Sequence, residues 1–342
     1  MTDLTVVGGG IIGLAVAWRC RQRGMRVTVH DGGADDAAWY AAAGMLAPVA
    51  EAAFGQEALT ALMIESASRW PGFVAGLHEE TGLDVGFDPR GSLAVALTGD
   101  DLAEAQRMWA YREQHDLKVR RLLPSAVREL EPALSPRLRG GAYVPDDLQV
   151  DPRRVVAALR AALGDAVVPG KVTELPPGPV VVAAGTGTAA LTGLPVRPVK
   201  GLVLRLRGEP GLLQHVVVGY ADGRHVYLVP RADGEVVVGA TQEERADFAV
   251  TAGAVLELLR AATDIVPELG ELTLSETVVR HRPSTPDNAP LLGRLRDDVY
   301  VAAGHHRNGV LLAPVTADLI ADLVFTGRHD PLLEAFAPGR FA

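Results

Sequence analysis

Cysteine, an excess of positive charge and long apolar segments are scarce or absent in this sequence, and each lack argues against a class of protein. Cys20 is the single cysteine among 342 residues, so an internal disulfide and a cysteine-based zinc or iron–sulfur site are excluded. Only three lysines occur, and the formal charge of −9 argues against a nucleic-acid partner. Apolar runs such as residues 180–184 are far shorter than the ~18–20 residues of a spanning helix, which argues against a membrane partner.

The N-terminal residues lead directly into a short apolar run, without the basic region and apolar core of a secretory signal. We therefore expect a cytoplasmic protein. The apolar fraction of 48% suffices for a packed core, and a length of 342 residues allows two domains.

The first thirty residues alternate between apolar runs and a glycine-rich turn. Residues 4–7 predict a buried strand, residues 8–13 (GGGIIG) match the pattern G-x-G-x-x-G, residues 14–23 predict a helix, and residues 26–30 predict a second strand followed by Asp31. The glycine pattern alone is weak evidence, but this order of elements is specific for a site that binds the ADP part of a dinucleotide. It leaves open whether the rest of that dinucleotide is a nicotinamide or a flavin.

The residue types in this unit have physical roles. Gly8 permits a tight turn, Gly10 lets the backbone approach a pyrophosphate, and Gly13 lets the helix pack closely on the strand. The helix N-terminus presents free N–H groups and the positive end of its dipole to the phosphates. Asp31 is placed to accept hydrogen bonds from the ribose hydroxyls.

A stretch of small residues follows at 41–48 (AAAGMLAP). A flat ring could lie against such a backbone, but on composition alone an alanine-rich helix is the better interpretation. The order of motifs along the whole chain favours the ring. In sequence these motifs are GGGIIG (8–13), AAAGML (41–46), RGSLAVA (90–96), DDLQVDP (146–152), PVKG (198–201), VYLVPR (226–231), VVVGAT (236–241), RPSTPDNAPLLG (282–293) and GHHRNGVLLAP (304–314).

This order resembles that of the flavin-dependent amino-acid oxidases of the D-amino-acid oxidase superfamily, and within it the glycine oxidases of thiamine biosynthesis. The resemblance spans nearly the whole chain, and AAAGML together with GHHRNGVLLAP is its most discriminating part. It implies an α/β fold with an FAD-binding Rossmann-like domain and a second, antiparallel-sheet substrate domain. It also implies noncovalent FAD, oxidation of a small amine to an imine, and reduction of O2 to hydrogen peroxide.

The FAD-binding domain is expected to be discontinuous. We predict that it comprises residues 1–78, 140–200 and 282–342, and that the substrate domain comprises residues 79–139 and 201–281. Apolar runs at 180–184 and 299–303 predict strands of the nucleotide-binding sheet, and apolar spacing predicts a helix over 309–324. Alternating segments at 92–97, 202–206, 225–231 and 235–241 predict an antiparallel sheet.

A hairpin turn at 232–234 fixes a register in that sheet. A three-residue loop ending in glycine pairs Val229 with Val237 and Tyr227 with Gly239. A tyrosine opposite a glycine leaves room for a small ligand beside the phenol, or the phenol simply covers the glycine, and the pattern leaves both open. The resemblance favours the first, because the tyrosine before VPR touches the substrate carboxylate in such relatives.

The resemblance implies that Tyr227, Arg282 and Arg307 are catalytic, and that Tyr227, Arg282 and Gln242 contact the substrate. An arginine can grip a carboxylate with two parallel charge-assisted hydrogen bonds, which a lysine cannot do. Arg307, before the predicted helix, would stabilise electron density that arrives on the flavin. Gln242 stands where some relatives carry an apolar residue, and Tyr40 where some carry serine, so substrate preference stays open.

The residues expected to hold FAD are spread over six segments. They are Gly8, Gly10, Ile11, Ile12, Gly13, Asp31, Ala42, Ala43, Gly44, Met45, Val172, Ala184, Gly185, His306, Arg307, Asn308, Gly309, Val310 and Leu311. His305 and His306 lack partners at ligand spacing, so no metal is expected, and one histidine is expected to be packed and the other solvated. No carboxylate that could act as a base is evident in the pocket.

Together these features predict oxidative deamination of glycine, with a small amino acid and O2 as reactants and thiazole synthesis as the pathway served. A D-amino-acid or sarcosine-type oxidase is the alternative within the same chemistry. A noncatalytic FAD-binding subunit is an alternative of another class, and a nicotinamide dehydrogenase would explain the first thirty residues but not GHHRNG. From the resemblance we also expect a homo-oligomer.

Overall fold

Two large β-sheets organise residues 3–341, the part of the chain that the computed structural model describes. The first has six strands, in spatial order β15 (Leu291–Arg296), β16 (Val299–Ala303), β9 (Val180–Val182), β1 (Asp3–Val7), β2 (Arg26–Asp31) and β8 (Val167–Pro169). All neighbours are parallel except β15 and β16. The predicted strands at 180–184 and 299–303 are thus confirmed as members of the nucleotide-binding sheet.

Four helices form the main core against this sheet: α1 (Ile11–Gln22), α3 (Glu57–Thr81), α6 (Pro152–Leu163) and α9 (Ala313–Thr326). Helix α9 begins four residues later than predicted, because residues 309–312 form turns, and Pro314 lies in its first helical turn. None of the helices within residues 3–341 combines the length and apolar character needed to cross a bilayer.

The second sheet has eight strands. In spatial order these are β14 (Thr273–Ser284), β10 (Arg197–Arg207), β13 (Glu235–Gly239), β12 (Arg224–Pro230), β11 (Val216–Ala221), β4 (Ser92–Ala96), β6 (Gly140–Val144) and β5 (Arg120–Leu122). Neighbouring strands are antiparallel, as predicted, except that β4 runs parallel to β11.

The remaining strands and α-helices of residues 3–341 lie outside the two large sheets and the four core helices. They are β3 (Met45–Leu46), which pairs with β7 (Leu148–Gln149), and the helices α2 (Ala38–Ala41), α4 (Gly99–Gln114), α5 (Pro124–Leu130), α7 (Thr188–Thr192) and α8 (Ala252–Ile265). Helix α4 begins with a capping box in which Thr98 and Asp101 exchange side-chain-to-backbone hydrogen bonds, which satisfies two N–H groups of its first turn.

The division into two domains stays a prediction, but sheet membership corrects it at one place. The predicted division places β6 in the FAD-binding domain, whereas this strand pairs with β4 and β5 in the eight-stranded sheet. Strands β10 and β14 also run across the predicted boundaries at 200 and 282. Short strands with ordinary composition do not reveal from sequence which sheet they join.

Candidate functional site

One cavity of about 1270 Å³ brings together segments that lie far apart in the sequence. Its walls come from the loop after β1, the segment around α2, strands β10, β12 and β14, and the loop at 304–311. Small-molecule pockets usually measure about 300–1,000 Å³, so this cavity has room for a ligand of dinucleotide size.

With one exception, the predicted site residues line this cavity. The exception is Gly13, where an added Cβ would lie 2.0 Å from the Gly8 carbonyl oxygen and 3.3 Å from the Ala183 Cβ. Gly13 therefore lies beneath the site and permits the close packing of α1 on β1.

The loop after β1 fits a diphosphate. Gly10 is the N-cap of α1 and provides no side-chain cap, and the first helical turn holds no acidic residue. An added Cβ at Gly10 would meet only Trp39, at 3.7 Å, so the cavity side of this residue is open. Unpaired N–H groups at a helix N-terminus that faces a cavity are suited to bind phosphate oxygens.

Asp31 lines the cavity at the end of β2 and is already oriented by protein partners. Its two carboxylate oxygens accept hydrogen bonds from the Gly33 N–H and from the Arg160 guanidinium. Because a carboxylate oxygen has more than one lone pair, Asp31 can still accept from a ribose hydroxyl. That role stays a prediction.

The small-residue segment is extended where it lines the cavity, since α2 ends at Ala41. Gly44 has a φ of +82°, and an added Cβ would lie 1.9 Å from the Val150 carbonyl oxygen. The Arg231 guanidinium donates hydrogen bonds to the carbonyls of Ala43 and Val150. The alanine-rich-helix interpretation is therefore wrong beyond Ala41, and an arginine at the end of β12 fixes the segment.

Arg282 projects from β14 over Gly201 of the neighbouring strand. An added Cβ at Gly201 would lie 2.4 Å from Nη1 of Arg282, so only glycine leaves space for this guanidinium. Nη1 donates to the Thr241 carbonyl at 3.1 Å, and among residues 3–341 Arg282 forms no salt bridge. Burial lowers its pKa, yet an arginine remains protonated in proteins. The cavity wall thus carries a partly buried cation that has no ion-pair partner in the described part of the chain.

Tyr227 lies opposite Gly239, and Val229 lies opposite Val237, as the hairpin register predicts. An added Cβ at Gly239 would lie 2.2 Å from the Tyr227 hydroxyl oxygen, so the phenol covers the glycine. The expected open space over Gly239 is therefore absent, although Tyr227 does line the cavity. Burial raises the pKa of Tyr227, which keeps the phenol neutral and able to donate a hydrogen bond.

Arg307 forms an ion pair that the sequence did not indicate. Its Nε lies 2.5 Å from Oε2 of Glu51, and both residues line the cavity. Glu51 is thus a carboxylate of the pocket that the predicted site residues did not include. Glu51 lies five residues after the AAAGML motif, and no spacing rule marks it as a site residue.

His305 and His306 are both buried, with exposed fractions of 3% and 8%, so the expectation of one solvated histidine is wrong. Nε2 of His305 lies 3.1 Å from the Thr316 hydroxyl, and Nδ1 of His306 lies 2.5 Å from the Ser284 hydroxyl. Burial lowers the pKa of each to about 3, so both are neutral at physiological pH. Within residues 3–341 no cluster of side chains could hold a metal ion.

A pair of cavity residues, His281 and Asp36, was missed from the sequence. His281 is buried and pairs through Nδ1 with Asp36 at 2.8 Å. The predicted residue Gln242 lines the cavity and is exposed, whereas Tyr40 is not part of the described lining and its ring lies under the Arg153 guanidinium at 3.7 Å. These contacts join segments distant in sequence, and the pattern of either partner alone does not reveal them.

Comparison with known proteins gives a consistent result. The profile of the FAD dependent oxidoreductase (DAO) family matches residues 3–323. The glycine oxidase of Geobacillus kaustophilus is 32% identical over 94% of this chain and 92% of its own length. A second relative of this chain, from Trichormus variabilis and named bifunctional protein ThiO/ThiG, is 33% identical to it over 99% of this chain.

This chain spans about half the length of the first curated relatives that it matches, 55% in the case of the Trichormus variabilis protein. Among solved structures, the crystal structure of glycine oxidase from Geobacillus kaustophilus superimposes with a TM-score of 0.90 and 30% sequence identity, covering 99% of both chains. The chain therefore belongs to the family of FAD dependent oxidoreductases, enzymes whose cofactor is FAD.

Proposed function

We propose that this protein oxidises glycine, and other small amino acids less efficiently, to an imine that water converts to glyoxylate and ammonia. O2 is the proposed electron acceptor and hydrogen peroxide the second product. Relatives named glycine oxidase that match over most of their length support this proposal. So does the chemistry of the cavity wall.

The observation that carries the proposal is the unpaired, desolvated guanidinium of Arg282. A partly buried cation without an ion-pair partner favours an anionic ligand, and the planar fork of arginine favours a carboxylate. The neutral phenol of Tyr227 lies on the same wall and can donate a further hydrogen bond to that carboxylate. Amino acids would thus be selected over simple amines.

FAD, when bound, supplies the electron-accepting ring. The residues proposed to hold it noncovalently are the loop at 8–12, Asp31, the segment at 42–45, Val172, Ala184, Gly185 and the loop at 306–311. Arg307 would add positive charge near the ring, moderated by its ion pair with Glu51.

A role in making the thiazole of thiamine is part of the proposal. Its support is the name of the relatives that join ThiO and ThiG in one chain, and that of a relative from Rhizobium etli called a thiamine biosynthesis oxidoreductase. A cytoplasmic location and a homo-oligomeric state complete the proposal.

The decisive experiment is anaerobic mixing of the purified flavoprotein with glycine, sarcosine or D-alanine while the visible flavin band is monitored. We expect glycine to bleach the band fastest. If D-alanine acts far faster than glycine, the enzyme is a D-amino-acid oxidase. If no small amino acid bleaches the band, the protein is a noncatalytic FAD-binding subunit.

Substitution of Arg282 tests the anchor itself. We expect Arg282→Ala to raise the KM for glycine roughly 100-fold or more while FAD stays bound, because two charge-assisted hydrogen bonds are lost. Arg282→Lys should recover only part of this loss. The exposed Arg296 provides a matched control, since Arg296→Ala should leave KM unchanged.

A further inference from the structure

The chain segment that carries Glu51 is held in place from two sides. The Asp147 carboxylate accepts hydrogen bonds from the backbone N–H groups of Val49 and Ala50 at 3.2 and 3.4 Å. The Arg112 guanidinium donates to the Ala50 carbonyl oxygen at 2.5 Å. Asp147 and Arg112 are themselves buried, with exposed fractions of 1% and 4%. Glu51 therefore projects from a backbone whose position is fixed.

Glu51 acts electrostatically on both proposed carboxylate anchors. Burial lowers the pKa of Arg282 and raises that of Tyr227, and the charge of Glu51 raises both. Glu51 therefore lies within electrostatic range of the place where a substrate carboxylate would bind. Its negative charge does not attract that carboxylate, because like charges repel.

One oxygen of Glu51 is left for a ligand. Oε2 is buried beside Nε of Arg307, at 2.5 Å, and among residues 3–341 no hydrogen bond reaches Oε1. The cavity wall thus places the Glu51 carboxylate together with the guanidinium cations of Arg282 and Arg307. An amino acid carries a carboxylate and an ammonium group two bonds apart, which matches this division of charge.

We infer that Glu51 binds the amino group of the substrate while Arg282 binds the carboxylate, so that two anchors of opposite charge orient the same small molecule. Asp147 and Arg112 are positioning residues for this second anchor, because they hold the backbone on each side of the Ala50–Glu51 peptide. The inference rests on the proposed function. It predicts that a carboxylic acid without an amino group contacts Arg282 but not Glu51.

The test compares glycine, which has both groups, with acetate, which has only the carboxylate. In the FAD-loaded enzyme, we expect Glu51→Gln to raise the KM for glycine roughly 10- to 100-fold, because a hydrogen bond to a charged group is lost. The inhibition constant of acetate should stay the same or fall, because a negative charge near the carboxylate site has been removed. Glu51→Asp should give a smaller rise in KM and the same acetate inhibition.

Glu57→Gln is the matched control, since Glu57 lies on the same segment outside the cavity and bonds to the Gly55 N–H. Equal losses of glycine and acetate binding in Glu51→Gln would show that Glu51 acts only through Arg307 and would overturn the inference. An unchanged KM for glycine would overturn it as well. If Glu51→Gln fails to retain FAD, the same two constants are compared between Glu51→Asp and the unmodified enzyme. An unchanged KM for glycine in Glu51→Asp would then overturn the inference. Failure of the proposed function is separate, because then the unmodified flavoprotein itself would not be reduced by glycine.

Discussion

Tyr227 and Gly239 face each other across β12 and β13, and the phenol occupies the volume that a side chain at position 239 would need. Glycine at 239 therefore determines where the Tyr227 hydroxyl lies. Since Tyr227 shares the cavity wall with Arg282, this pairing links the register of a hairpin to the geometry of the site.

We expect Gly239→Ala to displace the phenol and weaken substrate binding. The added Cβ would lie 2.2 Å from the hydroxyl oxygen, so either the ring or the backbone must move. Loss of one hydrogen bond of roughly 1–2 kcal/mol predicts a rise of about 5- to 30-fold in the KM for glycine, measured with the FAD content checked by absorbance. Gly253→Ala is the control, because an added Cβ in that helix meets no atom within 4 Å. A Gly239→Ala enzyme with unchanged KM would remove Tyr227 from substrate binding.

Arg231 connects the end of β12 to the segment that lines the proposed ring site. It donates to the carbonyls of Ala43 and Val150 and to the side chain of Gln149, all within the buried region behind the cavity. We expect Arg231→Lys to weaken FAD binding about 10-fold or more, because a lysine ammonium cannot reach several acceptors with the same planar geometry. Fluorescence titration of the apoprotein with FAD measures this.

Arg207→Lys serves as the comparison for Arg231→Lys. Arg207 lies on the same sheet, is about half exposed, and its guanidinium contacts Asp233 in the hairpin turn. We expect the Arg207→Lys variant to bind FAD with the same affinity as the unmodified protein. Equal affinities for both variants would mean that the segment at 42–45 holds its position without Arg231.

The buried carboxyl of Asp147 should make the stability of the folded protein depend on pH. Burial raises the pKa of this carboxyl from 3.8 to about 7, against the opposing effect of hydrogen bonds from Ser92, Ala50 and Val49. The folded state therefore retains a proton that the unfolded state releases near pH 4. The stabilisation is complete below the unfolded pKa and is lost as the pH rises toward 7, by about 1.4 kcal/mol per pH unit for one proton.

Asp147→Asn removes this titration while its amide can still accept from the two backbone N–H groups and donate to Ser92. Urea denaturation between pH 4.5 and 7.5 should show the variant gaining stability relative to the unmodified protein as the pH rises. Asp146→Asn is the control, because it changes an exposed carboxyl beside Lys118. The difference in unfolding free energy between this variant and the unmodified protein should stay constant across this range. A constant difference for Asp147→Asn would mean that Asp147 is ionised in the folded protein throughout.

Local pattern was sufficient for a substantial part of the fold and of the site. The N-terminal strand, glycine loop, helix and second strand were predictable because neighbouring residues in one short unit satisfy one another. The pairing of Tyr227 with Gly239 was predictable for the same reason, since the length of a hairpin loop fixes the register of its strands. The motif order then predicted which distant segments line one cavity.

By itself, then, the sequence determined the dinucleotide-binding unit and the hairpin register, and its motifs indicated many of the cavity residues, because each depends on contacts between near neighbours or on a motif. The tertiary structure alone decided that Arg307 pairs with Glu51, that Arg231 holds Ala43, and that Asp147 and both histidines at 305 and 306 are buried. Those features depend on which segments pack side by side, and in most cases these segments are more than fifty residues apart in the sequence. Burial and charge pairing arise only when that packing has formed.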